Sequence, residues 1–193
     1  MIRVIRFSLL LLLFNTNVLA EDIANMVQKN VSLVVSLVEQ NEELSVEDLQ
    51  PKIDEVLVNL INFEAISRGV MGNYRKSATM EQQTAFRQNL RISLGSLFIR
   101  SFRAIGPKNI DIVEVKTSEN KGRAKVQFTT SDNAMVELLF SLRKKDNIWL
   151  VVNFLVDGVN MGLAYRNVFD ARMKEYGDLD LLISRWNADI DSG

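Results

Sequence analysis

Few side chains in this sequence can do covalent or acid–base chemistry, because its 193 residues include no histidine and no cysteine. A Ser-His-Asp triad, a Cys-His pair, a disulfide and a zinc site of the usual ligands are all excluded. Carboxylates remain. Their clusters are Glu42-Glu43, Glu47-Asp48, Asp178 with Asp180, and Asp189 with Asp191. A catalytic acid needs a raised pKa and hence an apolar surround. These acids stand in polar loops and helix ends, where carboxylates cap helices and keep surfaces soluble. Neither a catalytic role nor a metal site is read from them. Gly69 and Gly72 follow no strand pattern, so they do not read as a phosphate loop. Arg75-Lys76 and Arg143-Lys144-Lys145 are short basic patches whose first reading is a solvated face, with a head-group or partner contact as the lesser alternative. A net charge of −1 gives no general pull toward nucleic acid or an anionic surface. The expectation is binding, not enzymatic, with no cofactor.

The apolar side chains are more informative. Hydrophobic residues make up 47% of the chain and charged residues 24%, the balance of a folded domain. The segment 79–104 carries Phe86, Leu90, Leu94 and Leu97 on one helical stripe, with Ile92, Ile99 and Phe102 well round the cylinder from it. A helix apolar on two sides is either sandwiched in a core or faces something greasy that is not protein. Further apolar residues, Met161, Leu163, Tyr165 and Phe169, follow the last strand pattern. A curved sheet under helices can leave a pocket between the layers. Pattern alone does not separate such a pocket from a filled core.

The elements that must position these groups begin after a leader. Arg3 and Arg6, a short apolar run to Phe14, and Val18-Leu19-Ala20 have the parts of a secretory signal peptide, with cleavage expected after Ala20. The run is too short for the ~20 residues of a transmembrane span. Residues 21–40 show helix spacing at Ala24, Val27, Val31, Val34 and Val38, although the β-branched run leaves a strand open. A second helix starts at Ser45 or at Pro51, and a third segment covers 63–71 before Gly72. Thr79 and Gln82 read as a capping box for the long helix, which Gly106-Pro107 stops.

Beyond Pro107 the period changes from 3.6 to 2. Residues 110–117, 122–130, 134–144 and 148–156 read as four strands joined by short turns, hence antiparallel neighbours. One face collects Val126, Phe128, Val136, Leu138 and Phe140, then Leu150, Val152 and Phe154, with Trp149 expected on the other. Two helices, 160–176 and 178–190, divided at Gly177, complete the chain. The expected fold class is α+β: a four-stranded antiparallel meander packed by several helices around an apolar pocket. One domain is expected over residues 21–193.

Two segments carry a family resemblance. The first is Phe63-Glu64-Ala65-Ile66-Ser67-Arg68-Gly69-Val70-Met71-Gly72-Asn73-Tyr74, continuing through Ala78-Thr79-Met80-Glu81-Gln82 to Phe86. The second is Trp149-Leu150-Val151-Val152-Asn153, then Asp157-Gly158-Val159-Asn160, Tyr165-Arg166 and Phe169. Together they resemble the periplasmic phospholipid-binding proteins of the Mla (maintenance of lipid asymmetry) pathway, the MlaC or toluene-tolerance auxiliary family. Asn62, Arg75, Met80 and Asn160 depart from that pattern.

The resemblance implies a soluble, monomeric carrier of phospholipid in the periplasm. Its implied partners are an inner-membrane ABC transporter complex and an outer-membrane lipoprotein–porin complex, with no nucleic acid. The residues expected to contact lipid are Met71 and Tyr74; Leu90, Leu94 and Phe98 of the long helix; Val126, Phe128, Leu138, Phe140, Val152 and Phe154 of the sheet; and Val159, Met161, Tyr165 and Phe169 after it. A periplasmic adaptor with a filled core, binding only protein, is the alternative.

Overall fold

A computed structural model describes the chain from residue 5 to residue 191, with side chains described from 19 to 190. Helix α1 (Ile5–Glu39) runs through the expected cleavage point, and most side chains of the expected leader lie outside the described residues. Ile23, Val27, Val31, Val34 and Val38 are all buried on one side of α1, so burial of the three- and four-residue stripe decides for helix over strand. Helix α2 (Val46–Leu57) starts from Ser45, whose Oγ accepts the Asp48 N–H at 3.0 Å. Pro51 therefore lies inside α2 and not at its first turn.

Helix α3 (Phe63–Met71) is capped by Asn62, whose Oδ1 accepts the Ala65 N–H at 2.9 Å. A 3-10 turn, Tyr74–Lys76, leads to α4 (Met80–Ile105). The capping box forms in both directions: Gln82 N–H donates to Thr79 Oγ1 at 3.2 Å, and Thr79 N–H donates to Gln82 Oε1 at 3.0 Å. At its far end Gly106 takes a left-handed φ of 51°, which lets the chain leave the helix at once.

The sheet follows as β1 (Asn109–Ser118), β2 (Lys121–Thr129), β3 (Met135–Lys145), β4 (Ile148–Val156) and β5 (Val159–Asn160). The strands lie in sequence order and every pair is antiparallel. The α+β meander is thus as expected, with a fifth strand of two residues, too short to leave an alternation pattern. Helices α5 (Met161–Tyr176) and α6 (Leu179–Asp191) close the chain.

The inner face of β4 differs from the expected one. Leu142 pairs with Val151 and Ser141 with Asn153, so Val152 has no partner on β3. One extra residue reverses the alternation. Trp149 and Val151 are buried before the bulge and Phe154 after it, whereas Leu150 and Val152 are only half-buried. Trp149 therefore belongs to the core face, and Val152 does not.

Helices cover the inner face unevenly. Helix α1 packs on β1 and β2, and α3 and α5 pack on β4, while α4 packs among α1, α2, α3 and α6. Two buried polar contacts fix its position. Trp186 Nε1 donates to Ser93 Oγ at 3.0 Å, and Ser96 Oγ donates to Gln50 Oε1 at 3.3 Å. Gly95 lets the Gln50 carboxamide lie directly against α4, since a Cβ there would collide with Gln50 Nε2. The two-sided apolar character of α4 is explained by this sandwich.

Candidate functional site

Helix α4 reaches the sheet through aromatic rings. The Phe98 centroid lies 5.7 Å from that of Phe154, and Phe102 lies 5.4 Å from Phe128. Rings hold the layers apart where they touch, and space remains beside them toward the C-terminal end of α4. There a cavity of about 360 Å³ opens between α4, the start of β3, the end of β4 and the first residue of α5. Leu97, Phe98 and Ile105 form its helical wall, Leu138 and Phe154 its sheet wall, and Met161 its third side. Ser101 and Asp157 supply the polar groups at its edge, and the Asp157 carboxylate accepts the Glu137 N–H at 2.8 Å. Such a site offers apolar contact with one acid and no catalytic pair. Its volume lies toward the lower end of the ~300–1,000 Å³ common for small-molecule sites.

A second, much smaller void of about 10 Å³ lies further along α4, lined by Leu90, Leu94 and Tyr165. Phe154 and Met161 line both spaces.

The expected contact residues divide into groups. Phe98, Leu138, Phe154 and Met161 meet at the cavity, and Leu90, Leu94 and Tyr165 meet at the void. Val126, Phe128 and Phe140 are fully packed on the inner sheet face. Phe169 belongs to an aromatic cluster, with ring centroids 4.9 Å from Phe86, 5.9 Å from Trp186 and 5.8 Å from Tyr74. Met71 is buried as the floor of a groove between α3 and α4. Val159 is 58% exposed in β5, and Val152 lines a groove beneath α3 and α5. Sequence reading passed over Ser101 on α4 and Val156 and Asp157 at the β4–β5 turn, all of which line the cavity.

It also passed over Asn153. The Asn153 side chain donates to Asn160 Oδ1 at 3.1 Å and accepts the Gly162 N–H at 3.1 Å. Asn160 Oδ1 in turn accepts the Leu163 N–H at 3.0 Å, capping α5. This pair of amides anchors the helix that carries Met161 and Tyr165. Arg166 extends the other way, with its guanidinium against Gly72.

The family model described as MlaC protein matches residues 26–188. The chain belongs to the MlaC family. Among its relatives, the toluene tolerance protein ttg2D of Pseudomonas putida is 27% identical over 142 residues, 72% of this chain. The match spans 66% of that relative's length. Among solved structures, a phospholipid-binding protein from Ralstonia solanacearum, determined in complex with a phospholipid, superposes with a TM-score of 0.76 at 16% identity. It covers 87% of this chain and 96% of its own. The MlaC-family fold thus includes the α4–sheet layer in which the cavity lies.

Proposed function

We propose that this chain is a periplasmic carrier that takes phospholipid by its acyl chains and passes it between outer- and inner-membrane complexes. The observation that carries the reading is the apolar cavity between α4 and the sheet, continued behind Phe154 and Met161 by the void beneath Tyr165. Family membership supports it, as does the likeness to a fold-related protein seen with phospholipid. The proposed partners are an inner-membrane ABC transporter complex and an outer-membrane lipoprotein–porin complex, with the protein acting as a monomer.

The energetics demand depth. Two acyl tails carry roughly 30 methylenes, and at ~0.8 kcal/mol each their transfer from water is worth more than ~20 kcal/mol. A carrier must offset nearly all of that to draw lipid out of a bilayer, so both tails need dry burial. The 360 Å³ cavity holds part of such a ligand, and the rest requires α4 or α5 to move off the sheet. Displacing Met161 and Phe154 would join the cavity to the void and open that path.

Extraction of the purified mature protein with organic solvent, followed by mass spectrometry, tests the reading. Phospholipid at a fixed ratio to protein is the expected result. Absence of lipid in protein prepared without detergent would favour the adaptor alternative, which has the dense packing of Phe86, Phe128, Phe140, Phe169 and Trp186 in its favour.

A further inference from the structure

Outside the α4–sheet layer, a groove of about 420 Å³ lies between α3, the 3-10 turn and the first turns of α4. Each element contributes one arginine to it: Arg68 from α3, Arg75 from the turn and Arg87 from α4. Glu64 is the one carboxylate in the lining, and it pairs with Arg68 at 3.3 Å. Both members of that pair are about half exposed, so the contact is worth little and leaves the Arg68 guanidinium exchangeable. Among the described residues, Arg75 and Arg87 have no ion-pair partner. In a chain with 24 acidic and 23 basic residues, such a convergence of cations runs against the average surface.

The groove is held in shape. Gln83 Nε2 donates to the Arg75 carbonyl at 3.3 Å and to the Ala78 carbonyl at 3.1 Å, tying the turn that carries Arg75 to α4. Ser77 Oγ donates to the Tyr74 carbonyl at 3.0 Å inside the same turn. Met71 forms a buried floor, and Met80, 71% exposed, forms a rim. Guanidinium forks match the paired oxygens of a phosphate, and a methionine-lined floor suits the carbon backbone attached to it.

We propose that this groove binds a phosphate group, free or carried on a glycerol-based lipid head group, as a site separate from the acyl-chain cavity. It lies at the opposite end of α4: Arg87, its last residue on that helix, is ten residues or about 15 Å before Leu97, the first of the cavity wall. A bound head group there would bring α3 and α4 to a membrane surface and leave the cavity clear of it.

The test uses the mature protein with sodium phosphate and sn-glycerol 3-phosphate, reading the Nε–H signals of arginine by NMR against sodium chloride at equal ionic strength. Saturable shifts of the Arg68, Arg75 and Arg87 signals are expected, and in Arg75→Gln/Arg87→Gln the remaining Arg68 signal should need at least about tenfold more phosphate to shift. Sedimentation with phosphatidylglycerol or phosphatidylcholine vesicles identifies the source. Retention on phosphatidylglycerol that the double variant loses, and that phosphate competes away, assigns a head group. Shifts with phosphate but no vesicle retention assign the free anion. Shifts that chloride reproduces, or phosphate and vesicle binding that the double variant leaves unchanged, would overturn the proposal. Neither guanidinium holds another side chain, so the variant should melt as the parent does. Its co-purified lipid, measured in parallel, reports on the acyl-chain cavity independently.

Discussion

The side-chain oxygen of Asn153 accepts the backbone N–H of Gly162 at 3.1 Å, tying β4 to the first turn of α5. The contact is so close that a Cβ on residue 162 would collide with that oxygen. A strand residue next to a bulge thus sets where Met161 and Tyr165 stand over the inner sheet face.

Gly162→Ala should break this tie and lower stability by about 1–3 kcal/mol, the usual range when a close approach is disrupted. Asn153→Ala removes the same bond and should cost about 1 kcal/mol, as for a lost helix cap. Because both act on one contact, the double variant should fall well short of the sum. Urea denaturation of the four proteins checks this, and additive effects would show that the tie is not the cause.

Leu138 and Phe128 separate wall from scaffold. Leu138 lines the cavity, so Leu138→Arg can direct its charge toward the opening, keeping a cooperative fold while reducing co-purified phospholipid about tenfold or more. Phe128 is fully buried against Phe102, so Phe128→Arg should abolish folding instead. Circular dichroism melting and lipid mass spectrometry distinguish the two outcomes. A folded Phe128→Arg protein would mean that the lipid space reaches deeper than the cavity beside Leu138.

Crosslinking maps the third side. A photo-reactive residue at Met161 should label phospholipid, whereas one at the exposed Val159 should not. Tyr165 packs beside Trp186 with ring centroids 6.0 Å apart, and Tyr165→Ala should cost ~3–5 kcal/mol. Lipid labelling from 159 and none from 161 would place the entrance on the other side of β5.

Asp54 gives a pH signature. Burial raises its carboxyl above the ordinary 3.8, against the lowering effects of Gln50 and of Arg91, whose Nε lies 3.2 Å from Asp54 Oδ2. A raised pKa means that the folded state takes up the proton more readily than the unfolded chain. The stabilising contribution is therefore full below 3.8 and is lost as pH rises through the raised folded value. The stability of the parent relative to Asp54→Asn should fall across that window and stay flat above it. Paired denaturation curves from acid to neutral pH check the sign.

Mature protein recovered from the periplasm should begin at Glu21, two residues before Ile23, the first fully buried side chain described on α1. N-terminal sequencing decides this. Recovery of the intact Met1 end would show that residues 1–20 are not a cleaved leader.

Local chemistry made the elements legible in the sequence. Ser45 and Thr79 cap their helices through bonds to residues three positions on, Gly106 and Gly177 end theirs in left-handed turns, and the alternation of β2 and β3 places Val126, Phe128, Leu138 and Phe140 inward. Each depends on near neighbours or on a strict period, which a linear chain displays directly. The family was legible for a similar reason, since its pattern is an ordered set of local segments. The inner face of β4 was not. Its bulge at Val152 arises from pairing with β3, and a strand read alone carries no record of its partner's register. Nor was the division of the apolar residues, which placed Phe169 with Phe86 and Trp186 while Phe98 and Met161 came to border open space. Every apolar stripe seeks burial, but whether it meets a side chain or a cavity depends on volumes brought together across layers. Only the tertiary structure adds those volumes up.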